Sequence, residues 1–192
     1  IVLKPNAVIM VSTDGHRLAM VEYQQDLPGI TDMYRALLPK KAMSEILKLA
    51  QEAAPGEKLQ FAGDENHLFF QLGDRLLISR KLTGNFPDYE RVLPKEQPNH
   101  VTIRRDELRA SIERVSQFAD ERTGAIRLQV APGEARVFSS LSETGESEES
   151  LPVTYDGVEV EIGFNAHYLL DFLRAVSEED IRFYFKDTQS AG

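Results

Sequence analysis

Apolar residues recur with a period near 3.6 in three stretches of the chain, which predicts three amphipathic helices. The stretches are KAMSEILKLAQEA (41–53), DELRASIERVSQF (106–118) and NAHYLLDFLRAV (165–176). Asp106 and Asn165 are the expected N-caps of the second and third helices. Their side chains can accept hydrogen bonds from the unpaired N–H groups at a helix start.

Each predicted helix follows a short run that is typical of a strand, and further strand-like runs come after it. After the first helix, these runs are separated by Gly-Asp turns at 63–64 and 73–74. Met43, Leu108 and Leu169 occupy equivalent places in the three units and lie 65 and 61 residues apart. A repeat of this length exceeds a solenoid unit and indicates a duplicated half-domain of one strand, one helix and about three strands.

The two ends and two irregular segments complete the predicted organisation. The chain opens within a strand-like pattern and stops shortly after its third helix, so we expect it to be part of a longer protein with at least four half-units. The segment 83–100 carries several prolines and no regular period, and it is predicted to link two domains. The acidic, Ser-rich segment 141–150 is predicted to be a solvated loop between strands.

The composition narrows the class of protein. With 192 residues, 42% of them hydrophobic, the chain can build one large or two small cores. It has no Cys, which excludes a disulfide framework and a thiolate metal site. No apolar run approaches the roughly 18 residues of a membrane span. The net charge of −9 argues against attraction of nucleic acid by the whole surface. Binding of nucleic acid would therefore require a local basic strip.

The segment STDGHRLAM (12–20) places an acid, an imidazole and a guanidinium within four positions. One interpretation is a hydrolase that uses Asp14 and His16. However, an Asp-Gly pair between two apolar runs is typical of a tight hairpin turn. No nucleophile lies in a matching motif, and no His has metal-ligand spacing. The turn is therefore the favoured interpretation, and it leaves Arg17 and Leu18 to be explained.

Two further patterns each allow two interpretations. Lys40-Lys41 and Arg104-Arg105 precede or begin predicted helices, where cations oppose the helix dipole. They are either solvated surface charge or part of a strip that faces phosphates. The aromatic, proline-bounded stretch FPDYERVLP (86–94) is either a linker that packs on its neighbours or one wall of a groove between domains.

Four sequence blocks occur together in a fixed order: TDGHRLA (13–19), LPKKAMSEI (38–46), GNFPDYERVLPK (84–95) and VEIGFNAHYLLDFL (160–173). In order and spacing they resemble the bacterial DNA sliding clamp, the beta subunit of DNA polymerase III, over essentially the whole chain. The resemblance implies an α+β DNA-clamp fold with repeated strand-helix-strand units and helices on one face of antiparallel sheets. It implies that residues 1–95 are the later part of a central domain, including the linker, and that residues 96–192 are most of a third domain without its final strands.

The resemblance also implies a function. Clamps of this family are non-catalytic processivity factors that encircle double-stranded DNA as a ring-shaped homodimer. The implied partners are DNA without sequence preference, the clamp loader, the replicative polymerase and other proteins with a clamp-binding motif. No cofactor, metal or membrane is implied, and the implied location is the bacterial cytoplasm. The alternative is a protein-interaction domain unconnected with DNA.

Three sets of residues match the family's sites. Partner peptides are expected to bind between the central and third domains, against Thr13, Gly15, His16, Arg17, Leu18, Pro87, Arg91, Val92, Asn165 and Tyr168, with Ser190 and Ala191 nearby. The residues expected to face DNA are Lys40, Lys41 and Arg105, with Arg104 as a weaker extension. The residues expected at the subunit contact are Phe118, Glu146 and Glu148, with Glu149 beside them.

Overall fold

Two units make up the chain, and each carries its own sheets and helices. The computed structural model describes residues 1–141 and 145–188. The units are Ile1–Glu90 and Arg91–Gly192. The expected domain boundary after residue 95 is close to this division and stays a prediction.

The first unit contains two antiparallel sheets and one long helix, α1 (Lys40–Gln51). The first sheet has the order β3-β2-β1-β4 and consists of β1 (Val2–Lys4), β2 (Ala7–Thr13), β3 (Leu18–Gln24) and β4 (Tyr34–Arg35). The second sheet has the order β5-β6-β7 and consists of β5 (Gln60–Gly63), β6 (His67–Leu72) and β7 (Arg75–Arg80). A one-turn helix, α2 (Tyr89–Val92), lies in the predicted linker.

The core of the first unit forms where α1 meets β6. Ile46 of α1 packs with Leu68 and Phe70, whose side chains point to the same face of the second sheet because they are two positions apart. The Phe61 ring lies 5.3 Å from that of Phe70 and extends this apolar layer. Alternation along β6 therefore fixes which face of the sheet receives the helix.

The second unit repeats this plan with two helices. Its elements are β8 (Asn99–Arg104), α3 (Arg105–Val115), a 3-10 turn (Ser116–Phe118), β9 (Ala125–Ala131), β10 (Glu134–Leu141), β11 (Gly145–Pro152), β12 (Val160–Asn165), α4 (Ala166–Ala175) and β13 (Asp180–Phe185). One sheet has the order β11-β10-β9-β12, and β13 pairs with β8 in the other. Ile112 of α3 and Leu170 of α4 enter a single core with the inner side chains of these strands.

The predicted repeat is confirmed. The sheets β3-β2-β1-β4 and β11-β10-β9-β12 have equivalent orders, each ending in the strand that precedes a helix. The long helices begin at Lys40, Arg105 and Ala166, which keeps the spacing seen in the sequence. Every strand pairing in the described ranges is antiparallel.

One predicted helix cap is confirmed and the other is wrong. The Asn165 Oδ1 accepts from the N–H of His167 at 2.9 Å and caps α4. Helix α3 starts two residues earlier than an Asp106 N-cap predicts, so Arg104 is its N-cap and makes no side-chain capping bond. Asp106 lies inside the first turn, where its Oδ1 accepts from the Nε of Arg105 at 3.1 Å. Its negative charge still interacts favourably with the positive end of the helix dipole.

The prediction of a loop at 141–150 is wrong for its second half. Residues from Gly145 belong to β11, which pairs with β10 from Leu141↔Gly145 to Glu134↔Pro152. β11 is the outermost strand of its sheet. An edge strand tolerates a polar, charged sequence because little of it must be buried.

Candidate functional site

Hydrogen bonds within residues 13–18 fix the shape of the turn between β2 and β3. The Asp14 Oδ1 accepts from the backbone N–H groups of His16 and Arg17, both at 3.0 Å. The Asp14 Oδ2 accepts from the Arg17 Nε at 3.1 Å. The Thr13 Oγ1 donates to the carbonyl of Arg17 at 2.7 Å, and Gly15 adopts a φ of +88°. The predicted tight turn is confirmed, with Asp14 at its centre.

These bonds also set the acid–base character of the turn. The N–H groups of His16 and Arg17 hold the pKa of Asp14 at about 2, well below its usual 3.8. A carboxylate with so low a pKa is a poor general base near neutral pH, because catalysis favours a pKa close to the operating pH. The geometry therefore disfavours a hydrolase that uses Asp14 and His16.

Leu18 lies on a half-buried apolar face of the first sheet. The strand register places Thr13 opposite Leu18 and Val11 opposite Met20, so these four side chains share one face. Ile9, two positions before Val11, continues this face into the core at 1% exposure. The turn thus carries Leu18 at the outer end of an apolar surface.

The linker is anchored at Tyr89. This side chain is only 5% exposed, and burial raises the pKa of its phenol. Pro87 lies two residues before the buried ring, so the segment that carries Pro87 is held close to it.

The start of α1 concentrates positive charge without compensation. Lys40 and Lys41 are exposed, and the N-cap Pro39 supplies no side-chain capping bond. The first turn contains no acidic residue. Lys48 is a third exposed cation, which sequence reasoning missed. It lies seven residues after Lys41, so the two side chains are on the same side of α1. The Nζ of Lys48 lies 2.9 Å from the Oε1 of Glu45.

The arginines of the second unit that are predicted to face DNA make contacts with other residues of that unit. The Arg105 Nη1 donates to the carbonyl of Val176 at 2.7 Å, and its side chain is 21% exposed. The Arg104 Nη1 lies 3.4 Å from the Oε2 of Glu179. These contacts compete with phosphate binding, so the DNA-facing role of both residues stays a prediction.

The residues predicted to bind partner peptides are divided between the units. Thr13, Gly15, His16, Arg17, Leu18 and Pro87 belong to the first unit, and Arg91, Val92, Asn165 and Tyr168 to the second. Val92 is 57% exposed on α2. The Asn165 amide caps α4 and donates from Nδ2 to the carbonyl of Thr123 at 2.8 Å. A single pocket formed by both sets stays a prediction, and Ser190 and Ala191 lie outside the described residues.

The predicted subunit-contact residues lie on the 3-10 turn and on β11, which pack against each other. Phe118 ends the 3-10 turn and is 39% exposed. Glu146 is exposed on β11, and the Glu148 Oε1 accepts from the Arg136 Nε at 2.9 Å. Glu149 pairs with Arg114 of α3. Sequence reasoning missed both arginines, because neither the register of β10 and β11 nor the packing of α3 against β11 was predicted.

Family models match the chain over almost its whole length. Residues 1–88 match the DNA polymerase III beta subunit, central domain, and residues 90–191 match the DNA polymerase III beta subunit, C-terminal domain. The chain belongs to the DNA polymerase III beta-subunit family. The resemblance noted in the sequence is therefore confirmed.

Similar proteins of this family agree in sequence and in fold. The beta sliding clamp of Pseudomonas aeruginosa is 36% identical over 181 residues, which cover 94% of this chain and 48% of that protein. The beta sliding clamp of Escherichia coli K12 is 33% identical over 183 residues, with the same coverage. A crystal structure of the Pseudomonas aeruginosa DNA polymerase sliding clamp with ligand matches with a TM-score of 0.92 at 33% identity, covering 98% of this chain and 51% of that one. The predicted clamp fold is confirmed.

The chain spans about half the length of the curated beta sliding clamps it matches. Within residues 1–141 and 145–188, no group of three His, Asp or Glu side chains is placed to hold a metal ion. No helix in these ranges has the length and apolar character required to cross a membrane.

Proposed function

We infer that this chain is part of a DNA sliding clamp, a processivity factor that encircles duplex DNA as a ring-shaped homodimer. The observation that carries this inference is the consecutive match to the central and C-terminal domains of the family. In the intact protein, residues 1–95 form the later part of the central domain and residues 96–192 most of the third. A clamp loader places the ring on DNA, and the ring then tethers the replicative polymerase and other replication and repair proteins.

The partner proteins bind through short peptides. Their apolar side chains dock against Leu18, Pro87 and Val92, while His16, Arg17, Arg91, Asn165 and Tyr168 orient them. The support for this proposal in the first unit is the half-buried face that carries Thr13 and Leu18, together with the buried Tyr89 ring two residues after Pro87. Apolar anchors in a groove provide most of the affinity in such interfaces, and polar groups provide orientation.

Lys40 and Lys41 face the DNA backbone, and Arg105 contributes more weakly. The support is their exposure at a helix start that carries no acidic residue. Phe118, Glu146 and Glu148 lie at the contact with the second subunit. The protein has no catalytic role and no cofactor, and it acts in the bacterial cytoplasm.

The decisive experiment loads the full-length protein onto nicked circular DNA with a clamp loader and separates the complex by gel filtration. Because a ring is held by topology, the protein should co-elute with the circle. It should be lost when a restriction enzyme linearises that DNA. Equal retention on linear and circular DNA would contradict a ring and favour ordinary ionic binding. No retention on either, with partner peptides still bound, would favour a protein-interaction domain unconnected with DNA.

A further inference from the structure

The edge strand β11 has few apolar attachments to its own unit. Residues 145–150 are all Gly, Glu or Ser, so they provide no apolar side chain. Leu151 is the one buried residue of β11. It pairs with β10 along one side and is the outermost strand of the sheet. Polar side chains must therefore help to hold the strand in place.

Glu149 occupies an inward position on this strand. The register aligns it with Val137 on β10 and, through Val137, with Leu128 on β9 and Ile162 on β12. The other three members of this row are buried hydrophobic core residues. A carboxylate at the end of a core row requires a partner, since an unpaired charge that is withdrawn from water is costly.

Arg114, in the last turn of α3, supplies that partner. Its guanidinium makes a bidentate contact, with Nε to Oε1 and with Nη2 to Oε2 at 2.5 Å. The Glu149 side chain is 26% exposed, whereas that of Arg114 is 61% exposed. The hydrogen bond from Arg114 holds the pKa of Glu149 below its usual value. Bidentate pairs of this kind fix geometry as well as charge.

The Arg114–Glu149 pair connects the two features proposed for the subunit contact, the Phe118 turn and β11. Arg114 is four residues before Phe118, and the 3-10 turn that carries Phe118 follows α3 directly. That turn packs against both β10 and β11. Fixing Arg114 to Glu149 therefore fixes the edge of the sheet relative to the exposed Phe118 ring.

We propose that the Arg114–Glu149 pair is a positioning device that holds β11 in register against the end of α3, so that the strand edge and Phe118 are presented together to a second copy of the chain. This inference rests on the proposed function, because it assumes that the intact protein is a dimer. A shift of one residue would turn Glu148 or Ser150 inward instead and reverse every side chain of the strand. The ion pair therefore favours the register that places Glu149 beside Arg114.

The chain supplies a matched control in the same sheet. Glu161 of β12 and Arg127 of β9 form an ion pair between neighbouring strands, at the edge of the sheet opposite β11, with side chains 40% and 63% exposed. Glu149→Gln and Glu161→Gln each remove one negative charge from an ion pair of this sheet. Only the first variant disturbs the link to α3.

The test measures the subunit dissociation constant of the full-length protein by sedimentation equilibrium. Glu149→Gln should raise this constant by about tenfold, and Glu161→Gln by less than about twofold. The double variant Arg114→Glu with Glu149→Arg should recover most of the loss. Hydrogen exchange at the β11 amides should quicken in Glu149→Gln alone, while the unfolding midpoints of the two single variants should agree.

Equal weakening by the two single variants, or no recovery in the charge-swapped double variant, would overturn this inference while leaving the clamp proposal intact. A wild-type protein that is monomeric and not retained on circular DNA would instead overturn the proposed function, and this inference with it.

Discussion

The Asp14 side chain gives the β2–β3 turn a pH dependence that can be observed directly. Its pKa of about 2 lies below the usual 3.8, so the folded turn favours the ionised form. The sign follows: the stabilisation is fully present above the usual pKa and is lost as the pH falls toward the folded value of about 2. We expect an NMR titration of the Asp14 carboxyl carbon to show a midpoint near 2. A midpoint near 3.8 would mean that the hydrogen bonds to His16 and Arg17 do not persist in solution.

Leu18 and Val21 lie on the same strand and test which face of the first sheet binds partner peptides. Leu18 shares the face of Val11 and Met20, whereas Val21 points to the other face and is 68% exposed. Loss of one buried leucine contact should weaken capture of a fluorescent clamp-binding peptide by roughly tenfold or more in Leu18→Ser. Val21→Ser, measured by fluorescence polarisation in parallel, should bind like the wild type. Equal affinities for all three proteins would remove Leu18 from the site.

At the scale of the element, the lysines at the start of α1 are predicted to lower the stability of the helix while favouring the proposed loading onto DNA. Lys40 and Lys41 lie at the positive end of the helix dipole, where no acidic side chain offsets them. Replacing either with Glu should stabilise the first unit by about 0.3–1 kcal/mol, because an anion is favoured there. The same change should reduce loading onto DNA. Urea unfolding and a loading assay would report the two opposite effects.

Lys58→Glu provides the control for this trade-off. Lys58 is exposed in the segment between α1 and β5, so the substitution makes the same change in charge away from the helix end. We expect it to change neither the unfolding free energy nor loading appreciably. If Lys58→Glu impairs loading as much as Lys41→Glu, net charge rather than the position of the lysines controls the interaction.

The elements differ in how well the sequence predicts them, and the differences have physical causes. The three long helices follow from apolar periodicity because each buries one stripe, as Ile46, Ile112 and Leu170 do. The greater part of β11 escaped prediction because an edge strand needs almost no apolar side chains. The start of α3 was misplaced because Arg104 serves as N-cap without a capping side chain, which leaves no signal in the sequence.

The candidate site shows the same division between local and tertiary information. The turn around Asp14 is readable because its hydrogen bonds join residues within three positions. Arg136–Glu148 is brought together by the strand register and Arg114–Glu149 by the packing of α3 against β11, and neither can be read from local sequence. The family resemblance, rather than periodicity, supplied the expectation that Leu18 belongs to a peptide site.

At the scale of the whole molecule, the chain's net charge of −9 has to be reconciled with the proposed action on DNA. A protein held by six to ten phosphate contacts loses about 10³–10⁵ in affinity between roughly 50 and 200 mM salt. In the proposed clamp, a closed ring needs no such contacts to stay on a circle. The exposed lysines at the start of α1 are then expected to guide the DNA rather than to hold it.

The lifetime of the loaded protein on closed circular DNA should therefore be nearly independent of salt. We expect less than about a threefold change between roughly 50 and 200 mM salt, far below the loss for an ionically bound protein. Lys40→Glu with Lys41→Glu should slow loading yet leave this lifetime unchanged, because the cations act before the ring closes. Linearising the circle should release the protein at both salt concentrations. A lifetime that falls steeply with salt, or that shortens in the double variant, would mean that phosphate contacts and not topology retain the protein.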